Sequence, residues 1–189
     1  MNYGDLERSA HPVNYVTATE ADGYCAHARR HGVAGRLPTM EEYRLAAGGQ
    51  SGILPGKSAR RYCWGNFPEP TCEPGPGAVH MRSARGGGCG STSTAPATDD
   101  RYQGGRTPEG VWGLCGNVWE WLAPDDRDAD GDRQNTGAGY WDSDPLSFET
   151  DYRETDPSDT RDPEIGFRCA YDVPDDLRRR LQALTAEDR

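Results

Sequence analysis

Hydrophobic residues recur with helical spacing in two stretches near the N-terminus. The first predicted helix starts after a threonine N-cap, either Thr17 or Thr19, and runs to about His31. Its apolar face consists of Ala21, Tyr24, Cys25 and Ala28. Residues 13–16, which precede this helix, predict a short strand.

The second predicted helix begins after Thr39. Glu42 stands three residues further on, which is the spacing of a capping box, where each side chain bonds the backbone N–H of the other residue. The apolar pattern carries this helix to Gly48. From residue 50 to about residue 108 the periodicity disappears, and glycine, proline, serine and threonine dominate, so this part predicts loop structure.

The strongest apolar signal lies in residues 110–121, GVWGLCGNVWEW, which hold three of the five tryptophans. The end of this stretch favours a strand, and its large aromatic rings predict that the strand is central and buried. Glu120 places a charge inside the apolar run, and a buried carboxylate requires a partner. Further along, residues 165–170 predict a closing strand and residues 175–184 a peripheral helix.

The composition limits how much regular structure to expect. Only 34% of the 189 residues are hydrophobic, and the chain contains 24 glycines and 14 prolines. The mean hydropathy is −0.91. A chain of this length forms one domain, and we expect a small aromatic core wrapped in turns and loops.

The charge of the chain argues against two classes of partner. With 31 acidic and 21 basic residues the net charge is −10. Nucleic acids and anionic membrane surfaces would be repelled, so we expect neither as a partner. No stretch is apolar for long enough to span a bilayer, and the N-terminus lacks the pattern of a signal sequence. We therefore expect a cytoplasmic protein.

Six cysteines are the main candidates for special chemistry. They could form disulfides, bind a metal ion or stay as reduced thiols, and the absence of a signal sequence weighs against the first alternative.

Seven motifs, in order along the chain, together resemble one known family. They are HPV (11–13), a Tyr-Cys pair (24–25), RLPTMEEY (36–43), AAGG (46–49), YCWGN (62–66), GNVWEW (116–121) and GFRC (166–169). The chain resembles the formylglycine-generating enzymes, also called sulfatase-modifying factors, over residues 11–172. The resemblance implies an α+β domain with a C-type lectin-like fold, little regular secondary structure, two N-terminal helices and short antiparallel strands. Residues 173–189 would form a C-terminal peripheral helix.

The resemblance also gives the cysteines an interpretation. It implies a disulfide between Cys25 and Cys169, and the alternative is two buried thiols in contact. Closing so long a loop would contribute on the order of 5 kcal/mol in the chain-entropy model. The connectivity of the other four cysteines stays open; they are Cys63, Cys72, Cys89 and Cys115.

The catalytic chemistry of the family is not expected in this chain. Family enzymes bind copper through two cysteines and oxidise a substrate cysteine to formylglycine. The corresponding positions fall near Asp142 and Ser147, and oxygen ligands do not suit Cu(I), which prefers thiolates. We therefore expect neither copper binding nor formylglycine generation, and the resemblance assigns no catalytic residue.

Calcium is the cofactor that the resemblance implies. Its ligands would be the carbonyl oxygens of Gly116 and Val118 together with the carboxylate of Glu120, a set that suits a hard cation. The alternative is that Glu120 bonds backbone N–H groups or an arginine such as Arg168.

Three functions stay open. The first is a divergent biosynthetic enzyme of the family that works without the copper cysteines. The second is a lectin-like module that binds a small molecule or peptide, as the variable proteins of diversity-generating retroelements do. Its ligand face would include Tyr140, Trp141, Asp142 and Ser147, a composition suited to adaptable recognition. The third is a structural copy without a ligand.

Family members carry an additional N-terminal strand before the HPV motif. Only about ten residues precede it here. A missing strand would leave an exposed sheet edge, through which we expect homo-oligomerisation.

Overall fold

The computed structural model describes residues 8–30, 32–49, 58–81, 83–84, 87–88, 94–124, 133–137, 139, 145–175 and 177–179. Two α-helices lie near the N-terminus, α1 (Ala18–His27) and α2 (Met40–Gly48). Two 3-10 helices follow, Asp100–Gly105 and Pro145–Phe148. The strands are β1 (Arg29–Arg30), β2 (Val33–Arg36), β3 (Ser83–Ala84), β4 (Gly87–Gly88), β5 (Trp119–Trp121), β6 (Arg133–Thr136), β7 (Glu154–Asp156), β8 (Ile165–Phe167) and β9 (Ala170–Tyr171).

Local sequence signals account for the starts of both helices. Thr17, one of the two predicted N-caps, caps α1, and the predicted capping box of Thr39 and Glu42 opens α2. Helix α1 ends at His27, four residues before the predicted end, and that prediction was wrong. Ala28 leaves the helical conformation, because the chain turns there into β1, which pairs with β2.

The main sheet has the strand order β7-β6-β5-β8. Strand β5 lies inside it, antiparallel to β6 and parallel to β8, with Glu120 opposite Gly166. The other described strand pairs are antiparallel, as expected. Strands β5 and β8 are parallel because β7 and β8 run in the same direction, so residues 157–164 must cross back to the opposite end of the sheet. Gly166 also lies against the segment before α1, where a Cβ at this position would stand 2.6 Å from the carbonyl oxygen of Val13.

Two predicted strands turn out shorter than expected. Residues 13–16 contribute a single bridge, from Asn14 to Gly166. The closing segment divides into β8, in the main sheet, and β9, which pairs with β2 in a second sheet. The chain thus changes sheet at residues 168–169, and a continuous strand over residues 165–170 is not formed.

The core consists of two clusters, and the central segment contributes residues to both. One packs α1 against Trp119, Trp121 and Ile165. The other contains Met40 and Tyr43 of α2 together with Phe148 of the second 3-10 helix, and it is completed by loop residues that include Tyr62, Val79, Met81, Leu114 and Leu122. Residues from the long loop region therefore supply much of the core, which explains how so little regular structure suffices.

Disulfides tie the loops to this core. Cys25 of α1 is bonded to Cys169, which follows β8, and Cys63 is bonded to Cys115 inside the second cluster. Cys72 is also disulfide-bonded, and Cys89 lies outside the described residues. Of the alternatives for Cys25 and Cys169, the structure contains the disulfide.

The predicted C-terminal helix is described only in part. Helical residues occur at 175 and 177–179, and the remainder of the predicted helix lies outside the described residues. The longest described helix has 10 residues, and no described helix has the length and apolar character that a membrane crossing requires.

Candidate functional site

The candidate site is built on the turn that leads into β5. Gly113, Gly116 and Asn117 all have positive φ, at 66°, 88° and 74°. Asparagine is among the few non-glycine residues that tolerate this region. Its side chain is fixed here by two hydrogen bonds, because Asn117 Oδ1 accepts from the Ala95 N–H at 2.9 Å and Nδ2 donates to the Ala95 carbonyl at 3.1 Å.

Three successive carbonyl groups of this turn accept hydrogen bonds from side chains. The Tyr43 hydroxyl, on α2, donates to the carbonyl of Leu114. The guanidinium of Arg168 donates to the carbonyl oxygens of Gly113, at 3.0 Å, and Trp112, at 3.3 Å. Burial raises the pKa of Tyr43 well above its usual value, and the Glu120 carboxylate acts in the same direction, so the phenol stays a donor.

Glu120 has the partner that its burial requires. Its side chain is 5% exposed, and its two carboxylate oxygens accept from Nε and Nη2 of Arg168 at 2.6 and 2.5 Å. Burial alone would lower the pKa of Arg168, but the charge and hydrogen bonds of Glu120 outweigh this effect, so the pKa is raised. Glu120, on β5, and Arg168, the residue after β8, therefore form a bidentate ion pair.

The residues of the implied calcium site do not fit a calcium ion. Both oxygens of Glu120 are bound to Arg168, and the guanidinium already balances the carboxylate charge. The carbonyl oxygen of Gly116 accepts from the Val118 N–H at 3.1 Å. Neutral carbonyls alone are a weak set for an ion that prefers six to eight oxygens including carboxylates. Of the two alternatives for Glu120, the structure shows the arginine.

No group of three or more metal-binding side chains was found either, in the part of the chain that the structure describes.

A small cleft opens beside the same turn. Its wall includes His80, Tyr102, Trp112 and Asn117, and its volume is about 20 Å³. That volume accommodates about one water molecule. The cleft is therefore suited to a single polar group of a ligand whose remaining atoms stay outside it.

The polar groups of the cleft come from separate loops. Nδ1 of His80 and the hydroxyl of Tyr102 share a hydrogen bond at 3.0 Å. The rings of these two residues meet edge to face at 5.1 Å. Asp99 also lines the cleft, and its pKa is lowered chiefly by hydrogen bonds from Arg101. The Asp99 carboxylate is paired with Arg101, so the cleft combines an ion-paired carboxylate with an imidazole and a phenol.

The predicted ligand face lies mostly outside the described residues. Tyr140, Trp141 and Asp142 are not described. Ser147 lies half-buried in the second 3-10 helix, next to Leu146, whose side chain is 57% exposed. The face of four residues therefore stays a prediction, as do the positions that correspond to the copper cysteines.

Sequence reasoning missed His80, Asp99 and Tyr102. These residues lie in the region without periodicity, and their spacing in the chain matches no motif. Trp112 and Asn117 had a signal, because they belong to the tryptophan-rich stretch. The cleft exists because the loops fold back onto that stretch.

The arrangement of α1, α2, the short sheets and the ordered loops defines a C-type lectin-like domain of the formylglycine-generating enzyme type. Variable protein 1 of Treponema denticola has a similar fold, with a TM-score of 0.60 and 16% identity over 88% of this chain and 73% of that one. Residues 3–173 match the family described as "Sulfatase-modifying factor enzyme 1-like domain". The chain therefore belongs to the sulfatase-modifying factor family, and the fold and family predicted from the seven motifs are confirmed.

Two relatives illustrate how the family varies in activity. The formylglycine-generating enzyme of Streptomyces coelicolor is 30% identical over 188 residues, which is 88% of this chain and 54% of the relative. The inactive C-alpha-formylglycine-generating enzyme 2 of Bos taurus is 31% identical over 180 residues, 88% of this chain and 52% of the relative. The chain thus spans about half the length of these relatives.

Proposed function

We propose that this chain is a ligand-binding domain that does not generate formylglycine. One observation carries the proposal: the sequence has no cysteine between Cys115 and Cys169, and both of these are held in disulfides. The two positions that correspond to the copper cysteines are expected near Asp142 and Ser147, in a part of the chain without cysteine. Without a pair of thiolates, the soft ligands that Cu(I) requires are missing there.

The cleft is the binding feature that the described residues support. It offers an aromatic wall at Trp112, a hydrogen-bonding pair at His80 and Tyr102, and the carboxylate of Asp99, which is paired with Arg101. A few polar groups placed among aromatic walls are typical of sites that orient a ligand. Its small volume fits one hydroxyl, amide or amine group, so the ligand is a polar small molecule or a peptide.

The first experiment tests the negative part of the proposal. The protein is incubated with copper, oxygen and a sulfatase peptide that contains the substrate cysteine, with the Streptomyces coelicolor enzyme as the positive control. We expect the peptide to keep its cysteine mass. Appearance of the aldehyde mass with this protein would overturn the proposal.

The second experiment tests binding. A fragment library of amines, amides and sugars is screened by NMR against ¹⁵N-labelled protein, with the indole N–H of Trp112 as the reporter. Ligands of the cleft should shift this signal and bind more weakly to Trp112→Ala and Tyr102→Phe. Trp64→Ala is the matched control, because Trp64 stacks on Tyr62 and does not line the cleft. Fragments that bind all variants equally would place the site elsewhere.

A second candidate function is an enzyme of the family that works without copper. The hydrogen bond between His80 and Tyr102 favours it, because an imidazole and a phenol can both transfer protons. Mass spectrometry of the bound compound after prolonged incubation separates the two candidates: a binding domain returns it unchanged, whereas an enzyme converts it. If the protein neither binds nor converts any compound, the third function applies, a structural copy of the domain without a ligand.

Three statements about partners and location stay predictions. We expect no binding to nucleic acid or membranes, because the net charge is −10. We also expect a cytoplasmic location and self-association through the N-terminal edge of the domain. Light scattering over a range of concentrations tests the self-association.

A further inference from the structure

Arg168 stands at a point where three oxygen-bearing groups converge. We call these groups the oxygen cage; they are the carbonyl oxygens of Trp112 and Gly113 and the carboxylate of Glu120. All five contacts between the cage and the guanidinium are between 2.5 and 3.3 Å long. Carbonyl and carboxylate oxygens are also the ligands by which proteins bind calcium ions.

The cage is built by the fold and not by the arginine alone. Gly113 adopts φ of 66°, a conformation that few other residues tolerate. Glu120 is held inside the main sheet, where β5 pairs on both sides. Arg168 is held by the neighbouring disulfide of Cys169. The two carbonyl oxygens are therefore positioned by the backbone, and the Glu120 side chain is anchored on a strand that is paired on both sides. We expect the cage to persist when Arg168 is replaced.

We propose that Arg168 is the built-in cation of the oxygen cage, and that the cage accepts a divalent cation only when the guanidinium is removed. The wild-type protein is then independent of calcium at this site. Removing Arg168 leaves a buried carboxylate without a counter-charge, and an added cation compensates that loss. Calcium suits the vacated position, because its ligands are oxygens and its coordination is flexible.

The test compares thermal unfolding of the wild type and its variants in EDTA and in calcium chloride. We expect the melting temperature of the wild type to be the same in both. Arg168→Ala should unfold earlier in EDTA and recover when calcium is added, with a dissociation constant on the order of 10⁻³ M, as in weak calcium sites. Arg168→Ala combined with Glu120→Gln should lose this recovery. Arg161→Ala is the matched control, since Arg161 pairs with Glu20 on the surface.

Each outcome decides the proposal. A wild type whose melting temperature rises with calcium, and whose response disappears in Glu120→Gln, would overturn it. So would an Arg168→Ala protein that calcium does not recover, whether or not that protein folds in EDTA. Arg168→Lys supplies a second variant that keeps the positive charge. It should fold and ignore calcium, and a calcium response in it would also contradict the proposal.

Discussion

The indole Nε1 of Trp121 donates a hydrogen bond to the carbonyl oxygen of Val16, 2.8 Å away and 105 residues earlier in the chain. Trp121 is fully buried in the central strand. The bond ties the segment before α1 to the middle of the main sheet. It also satisfies the one polar atom of a ring that otherwise packs among apolar side chains.

Replacing Trp121 with phenylalanine should destabilise the domain. The change removes the donor to the Val16 carbonyl and leaves a gap in the core, so we expect a loss of about 2–4 kcal/mol in the free energy of unfolding. Urea denaturation measures it. Trp64→Phe is the control, because Trp64 also donates to a backbone carbonyl, that of Pro68, but is only half-buried. Equal losses in the two variants would contradict this account of Trp121.

Substitutions of Asn117 separate the effect of its positive φ from the effect of losing its side-chain hydrogen bonds. Both Asn117→Ala and Asn117→Gly lose the two bonds to Ala95, which is buried. Glycine accepts the positive φ of 74° without strain, whereas alanine does not. We expect Asn117→Ala to be less stable than Asn117→Gly by about 1 kcal/mol, measured by thermal unfolding. An alanine variant as stable as the glycine variant would argue that the turn rearranges.

The two assigned disulfides should contribute differently to stability. The residues of Cys25–Cys169 are 144 positions apart and those of Cys63–Cys115 are 52 apart. In the chain-entropy model these separations correspond to about 5 and about 4 kcal/mol. We expect the double variant Cys25→Ala/Cys169→Ala to lose a few kcal/mol in urea unfolding.

A reducing agent gives an independent measurement of the disulfides. Cys25 and Cys63 are fully buried, so reduction of the folded protein should be slow and should require partial unfolding. The wild type should lose stability after complete reduction. Unchanged unfolding of the fully reduced wild type would argue that the cysteines act as buried thiols.

The ion pair of Glu42 and Arg36 at the start of α2 should make the stability of the protein depend on pH in the acid range. Hydrogen bonds from Arg36 lower the pKa of Glu42 from 4.5 to about 2. A carboxyl whose pKa is lowered in the folded state stabilises that state above its unfolded pKa. This contribution should therefore be complete above about pH 4.5 and lost as the pH falls through about 2.

Two variants isolate the contribution of Glu42. Glu42→Gln keeps the pattern of a capping box but cannot pair with Arg36 as an ion. The difference in stability between the wild type and this variant should shrink as the pH falls to about 2. Glu41→Gln removes an equal charge from the same helical turn and serves as the control. A difference that stays constant over this range would contradict the role of the ion pair.

Parts of this fold could be predicted because their signals are local. Thr39 and Glu42 are three residues apart, and their mutual bonding depends on little else in the chain. The end of α1 was harder to predict, because it depends on the pairing of β1 with β2. The division of residues 165–170 between two sheets likewise depends on which strands lie nearby.

The sequence alone determined the family, the two capped helices and the central position of the tryptophan-rich strand, because these depend on short motifs and on the burial of large aromatic rings. It also showed that Glu120 needs a partner. Only the tertiary structure decided that the partner is Arg168, 48 residues away, and that His80 meets Tyr102 in a cleft. Such contacts depend on how loops return to the core, and no periodicity in the chain encodes that path.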